Sequence, residues 1–339
     1  MKKMKKVMKR SEFYVFLIIL ILSAVIQARS GQFYTNNNIV DIARSMIVPL
    51  IYALCAFLAF ISTGPDVSFP LIAALSSYLA IQVTYRVGYN GPWILVYFVG
   101  MVFGALMGAL NGFIITKFKF PSLIVTLGTS SIFSGLLLGT FEAARLDLPE
   151  TLERFGRGIL LKVTNASTGL GAALPMTFLI VVVLYIVAYF VLNYTLVGRG
   201  VFAVGGDEIS AERAGFNVNH IRFGLFVING MLASIGGLTY AINSMRYLPT
   251  EFSGAEMNVI AAIILGGTRM NGGVGSLTGC VLGTLLLTMV TNSLILLGVN
   301  VYWQKAFIGA IIIIGTAVSM MQSHGGLKSI FRIGKKEAV

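Results

Sequence analysis

Apolar residues in this chain come in long runs separated by short polar stretches. A bilayer-crossing helix needs about 20 apolar residues. Runs of that order cover 13–28, 39–61, 67–85, 92–116, 121–141, 175–194, 223–243, 274–297 and 302–321, and a shorter one covers 256–265. Lipid gives backbone groups no partner outside their own segment, so such runs predict helices. The expected fold is an all-α polytopic membrane protein of about ten transmembrane helices, two of them interrupted, with both termini cytoplasmic. A broken helix that turned back on itself would lower the count to about eight or nine.

Composition agrees. Of 339 residues, 56% are hydrophobic and 11% charged, against about 25% charged in a soluble domain. The net charge of +12 does not point to nucleic acid, because Lys and Arg gather at the termini and in particular loops. That distribution orients a membrane protein. Basic tails cover 1–12 (Lys2, Lys3, Lys5, Lys6, Lys9, Arg10) and 322–339 (Lys328, Arg332, Lys335, Lys336), flanking a membrane domain over 13–321. The first tail and run look like a signal peptide, but Gln27-Ala28-Arg29-Ser30 is a poor cleavage site. The run is read as an uncleaved helix.

An even span count puts both tails, Lys117, Lys119, Arg269 and the loop 195–222 on one side. The polar segment 142–174 falls on the other, with Glu142, Asp147, Glu150 and Glu153 against Arg145, Arg154, Arg157 and Lys162. Cys55 and Cys280 lie in apolar runs and imply no disulfide framework. No His, Cys or carboxylate spacing resembles a metal site. Gly100, Gly104, Gly108 and Gly112 recur at every fourth position, which points to close helix packing.

Three places break the apolar pattern. The first is Ser62-Thr63-Gly64-Pro65-Asp66, and the second is the cluster from Gly266 to Gly273. Broken backbone at membrane depth must be satisfied by protein or by a wet cavity. Paired breaks in two halves point to a translocation path. Asp66 at such a break is either a helix cap that water reaches or a group on that path. The third place runs from Gly205 to Gly215. Asp207 is placed to cap a short helix, its acids suit the positive helix end, and Gly215 is placed to stop it. It reads either as a solvated loop or as a docking knob for a soluble partner.

Absences sharpen the choice. The chain has no GxxxxGK[ST] loop, no nucleophile elbow and no HExxH. It carries few acids within its apolar runs, which weakens a stand-alone ion-coupled carrier. A many-span protein without an engine, bearing a capped cytoplasmic helix, points to a transport subunit driven by a separate ATPase.

At this point the residues resemble a known family. Ala203-Val204-Gly205-Gly206-Asp207-Glu208 with Ala214-Gly215-Phe216-Asn217-Val218 is similar to the permease subunit of bacterial ABC importers for ribose and other monosaccharides. So are Ala261-Ala262-Ile263-Ile264-Leu265-Gly266-Gly267-Thr268 with Gly272-Gly273-Val274-Gly275, Asn292 with Leu296-Leu297-Gly298-Val299, and Pro121-Ser122-Leu123-Ile124-Val125-Thr126-Leu127-Gly128-Thr129. The likeness covers about 38–321. One departure stands out. The family's first break reads Gly-Ile-Asp-Leu-Ser-Val-Gly, and here it reads Gly64-Pro65-Asp66-Val67-Ser68-Phe69-Pro70.

The resemblance implies a second permease subunit, identical or related, an ATP-binding cassette ATPase carrying the ATP and Mg, and an extracytoplasmic solute-binding protein. This chain would hold no cofactor and catalyse nothing itself. It would sit in the bacterial cytoplasmic (inner) membrane and contact lipid. Gly205, Gly206, Asp207, Glu208, Ala211, Arg213, Ala214 and Gly215 would form the coupling element against the ATPase. Asp66, Ser68, Thr126, Gly266, Gly267, Thr268 and Asn292 would belong to the path. The solute would be a monosaccharide or similar small polar molecule. Nucleosides, branched-chain amino acids and a furanose signalling molecule stay open. The segment 142–174, with Arg246, either meets the binding protein through its mixed charges or forms a lid.

Overall fold

A computed structural model of the chain describes residues 11–164, 171–270 and 272–297, and residues 303, 306, 309, 310 and 313 beyond them. Residues 1–10, Asn271, most of the tenth expected run and the whole second basic tail lie outside the described residues. The helices are α1 (Ser11–Ser30), α2 (Asn36–Ser62), α3 (Phe69–Val87), α4 (Trp93–Phe118) and α5 (Ser122–Gly135), which continues into a π-helical turn, Leu136–Thr140. There follow α6 (Glu150–Gly156), α7 (Phe178–Tyr194), α8 (Leu196–Gly206), α9 (Glu208–Arg213), α10 (Val218–Ser244), α11 (Ala255–Leu265) and α12 (Leu277–Leu296).

Among the described residues, five helices are long and apolar enough to cross a membrane. The count is six if α7 and α8, bent by 75° at Thr195, form one span. With 11 residues, α11 rises only about 16 Å, roughly half the hydrocarbon core.

Three helices carry the core, α2, α3 and α10, and α3 gives it Phe69, Ile72, Tyr78 and Ile81. Buried positions make up 83% of the apolar stretch of α2 and 78% of that of α10, against 22% for α1 and 28% for α4. The outer helices therefore turn most of their Leu, Ile and Phe side chains outward, as lipid-facing helices do. The glycine row of α4 lies along α10. A Cβ at Gly104 would run into the Gly230 carbonyl, and one at Gly108 into that of Phe226. The row packs two backbones together, as its spacing predicts.

The all-helical expectation needs one correction. Residues Ile159–Thr164 (β1) and Gly171–Pro175 (β2) form an antiparallel pair. They fall in the polar segment, where chain outside the bilayer is free to pair as strands, and Ile159, Val163 and Thr164 are good strand formers. A lone hairpin is marginal. This one gains support by burying Ala172 and Leu174 against Val40 of α2.

The connections sort to two ends of the bundle. One gathers Asp147 against Tyr85, the Leu146–Tyr247 bridge, and Trp93 stacked on Phe155 with centroids 4.0 Å apart. The other gathers Lys119, α8, α9, the second break and the start of α1, whose Glu12 accepts a hydrogen bond from Ser276.

Candidate functional site

The short helix α9 is built from both ends. Asp207 has extended backbone and caps it, accepting from the Ile209 amide at 3.1 Å. The Ser210 hydroxyl donates to the same carboxyl at 2.6 Å, and that bond holds Asp207 below the usual carboxylate range. At the other end Gly215 takes φ +90°. Its amide donates to the Glu212 carbonyl at 2.9 Å and that of Phe216 to Ala211 at 3.0 Å, closing a Schellman motif. Asn217 then caps α10 by accepting from the His220 amide at 3.0 Å.

Ala211 is the side of α9 that faces inward, buried with Val204 and Val218. Glu208 pairs with Arg222 at 2.9 Å and sits 3.8 Å from Lys119. Such partly exposed pairs are worth about 0–1 kcal/mol each and mainly fix orientation. The opposite side shows Asp207, Ile209, Ser210, Glu212, Arg213, Ala214 and Gly215, all exposed. Ile209 is an apolar side chain 61% exposed at the head of a charged helix.

The first break is closed by side chains. Asp66 is buried, 1% exposed, and accepts from both the amide (2.8 Å) and the hydroxyl (2.7 Å) of Ser68. Asn111 of α4 donates to the Ser68 hydroxyl at 2.8 Å, and the Val67 amide donates to Thr126 of α5 at 3.3 Å. Asn229 of α10 approaches the same carboxyl without closing a hydrogen bond of normal geometry. Ser68 occupies the cap position of α3. Pro70 therefore stands in the first turn, where no amide donor is required.

The second break is closed by backbone. Gly266 ends α11 against Gly279 of α12, so closely that a Cβ would strike the Gly279 carbonyl. Gly267 takes φ +92°, and the Thr268 amide donates back to Ile263 at 3.0 Å. Thr268 is buried. The turn returns through Gly272 (φ +88°) and Gly273 (φ +70°), which lie on Gly205 and Gly206.

Between α2, α10, α11 and α12 lies a cavity of about 460 Å³. Ser45, Asn243, Asn258, Thr284 and Thr288 give it hydroxyl and amide groups, and Tyr52 and Phe252 give it aromatic faces. Arg44 and Glu251 add opposite charges. Arg246 lies 3.6 Å from Glu251, and Tyr240 also donates to that carboxyl. Pro49 in mid-helix has no N–H to give the Ser45 carbonyl, so α2 is locally open where it meets the cavity. Asn292 adjoins this space by donating to Ser45 at 3.1 Å. Asp66, Ser68, Thr126 and Thr268 do not line it. Among the described residues, no group of three or more His, Cys, Asp or Glu is placed to hold a metal ion.

The chain matches the family model described as branched-chain amino acid transport system / permease component over residues 38–316. It belongs to that permease family. It is 32% identical over 317 residues to the autoinducer 2 import system permease protein LsrC of Enterobacter sp. (strain 638), covering 93% of this chain and 88% of the relative. It is 28% identical over 306 residues to the ribose import permease protein RbsC of Escherichia coli (strain K12), covering 89% and 91%. The LsrC protein of Klebsiella pneumoniae subsp. pneumoniae is 29% identical over 317 residues, covering 93% and 88%. No solved structure matches the chain.

The sugar-permease resemblance drawn from 203–218 and 261–275 therefore holds, and the chain is a multi-pass membrane transport protein. Sequence reasoning missed the cavity residues of this permease. Ser45, Asn243, Asn258 and Thr288 come from four helices, and each alone looks like an ordinary polar position. It also missed Asn111 and Asn229, which are buried amides in mid-span. Their place inside apolar runs was the signal, since polar groups there are costly and rarely idle.

Proposed function

We propose that this permease is the membrane-spanning subunit of an ATP-driven, binding-protein-dependent importer for a monosaccharide or similar small polar solute. One observation carries the reading: α9 is capped at both ends, anchored behind by Ala211, and offers exposed Ile209 amid Asp207, Glu212 and Arg213. That is a rigid, charged knob with an apolar tip, suited to a groove on a partner ATP-binding cassette ATPase. ATP and Mg reside on that partner. Asp207–Gly215 makes the contact, and Gly205 and Gly206 stand behind it.

The remaining parts follow from the two-ended bundle. The end bearing α9 faces the cytoplasm with both termini, and the chain crosses the inner membrane about ten times if α11 together with the turn after it counts as one crossing. The hairpin end, 142–174 with Arg246, receives the extracytoplasmic binding protein. A second permease subunit completes the pathway. Hydroxyls, amides and aromatic faces in the α2–α10–α11–α12 cavity fit a polyhydroxylated solute, in keeping with the ribose and autoinducer 2 permeases it resembles. A furanose signalling molecule is the second reading, favoured by the 32% identity to the LsrC relative.

Co-purification from native membranes in mild detergent, with mass spectrometry of bound proteins, tests the core of this reading. An ATP-binding subunit and the product of a neighbouring binding-protein gene are the expected companions. A chain that purifies alone and moves solute in vesicles under an ion gradient would be a carrier instead.

A further inference from the structure

The second and third places that break the apolar pattern meet at the end of α2, just ahead of the first. Ile61 is in the last turn of α2, where helix carbonyls lack partners of their own. Its carbonyl accepts from the Gly273 amide at 3.0 Å. Gly205, in the last turn of α8, presses on the same carbonyl, and a Cβ there would strike both Ile61 and the Gly273 amide. Gly272 rests on the Gly205 carbonyl, and Gly273 on Gly206. No side chain lies between these backbones at the contacts that a Cβ would occupy.

Each segment leads somewhere. Gly205 joins α9 through Gly206 and the capping Asp207. Ile61 belongs to α2, whose Ser45, Pro49 and Tyr52 line the cavity. Gly273 precedes α12, whose Thr284 and Thr288 line it from another side. Backbone in direct contact transmits displacement without the slack of a rotatable side chain.

We infer that Gly205, Gly272 and Gly273 are positioning residues of the transport step, forming a rigid junction that passes movement of α9 to α2 and α12 together. The inference rests on the proposed coupling role of α9. It adds which walls of the cavity move, and through which atoms.

The test uses the full-length chain with its co-purified ATP-binding subunit and does not require the solute. Ser45→Cys, in a Cys55→Ala, Cys280→Ala background, reports on the cavity through its rate of labelling by a water-soluble maleimide. Adding ATP and vanadate should change that rate by about tenfold. Gly205→Ala should abolish the change while the ATP-binding subunit still co-purifies. Gly224→Ala, a helical glycine with open space at its Cβ, should preserve it. A Gly205→Ala protein that keeps the full change overturns the junction, and so does a Gly224→Ala protein that loses it equally.

A second variant decides the matter if Gly205→Ala does not insert. A Cβ at Gly275 would lie 3.1 Å from Cγ2 of Ile61 and 2.8 Å from the Phe57 ring, so Ile61→Cys with Gly275→Cys, in a Phe57→Leu background that makes room, is set to cross-link. A rigid junction tolerates that bond, and the oxidised protein should keep its nucleotide-dependent labelling. Loss of the response on oxidation means α2 and the turn separate, and it overturns the proposal. Failure is distinguishable from failure of the coupling reading. In the latter case the parent itself brings down no ATP-binding subunit and shows no response to nucleotide.

Discussion

At the first break the gap between α2 and α3 is filled by side chains: Asp66, Ser68 and Asn111 exchange hydrogen bonds in a buried cluster, and Thr126 accepts from the Val67 amide beside them. At the second, between α11 and α12, it is filled by bare backbone, with Gly266 on Gly279 and Gly272–Gly273 on Gly205–Gly206. Both satisfy the same rule, that interrupted backbone buried away from water must find partners in protein. They do so with opposite vulnerabilities. The first needs polarity. The second needs no polarity from its own side chains and tolerates no bulk. The prolines at 65 and 70 fit this division, because they stiffen a break whose bonds come from side chains and add no load where backbones touch.

Substitutions can break the comparison. The largest effect is expected from Gly266→Val, which drives a branched side chain into the Gly279 carbonyl. Overpacking of this kind costs about 3 kcal/mol or more, and a lowered thermal aggregation midpoint in detergent would register it. Asp66→Leu comes next. It keeps the branched shape, though with bulkier methyls, and leaves the Ser68 amide and hydroxyl without their acceptor, at about 1–3 kcal/mol, while Asp66→Asn should lose much less. If Gly266→Val proves milder than Asp66→Leu by the same assay, the division between the two breaks is wrong.

Smaller effects sharpen it. Ser68→Ala removes the acceptor for Asn111 and should cost about 1 kcal/mol. Pro70→Ala should stay within about 0.5 kcal/mol, because the first turn asks for no donor. Smallest is the α9 cap. The folded Asp207 carboxyl is lowered by the Ser210 hydroxyl, so its contribution is complete above the usual carboxylate range and fades as pH falls through the lowered value. Protection of the Ile209 amide, taken against its intrinsic exchange rate at each pH, should fall over that acidic window, and unchanged protection would refute the cap.

Much of this was legible in the sequence, and the residues show why. Asp207 and Gly215 carry local instructions for a cap and a stop, so α9 could be placed from them. Helix breakers at 62–66 and 266–273 likewise announce interruptions. What closes those interruptions is a tertiary matter. Asn111 reaches Ser68 across 43 positions, and Gly273 reaches Ile61 from a separate helix pair. The hairpin escaped because Ile159–Thr164 is aliphatic and sits among charges, a pattern that fits strand, helix end or loop. The cavity escaped because no single run contains it.

The central claim is that α9 is the face a partner ATPase holds. The most direct measurement is site-specific photo-cross-linking in living cells, with a benzophenone amino acid at Ile209 and, in a separate protein, at Ile159 on β1. Both side chains are exposed, at 61% and 53%, and they stand at opposite ends of the bundle. The account expects an adduct to an ATP-binding subunit from position 209 and none from position 159. Adducts from 159 alone, or lipid adducts only from 209 in a chain that still imports solute, would contradict it.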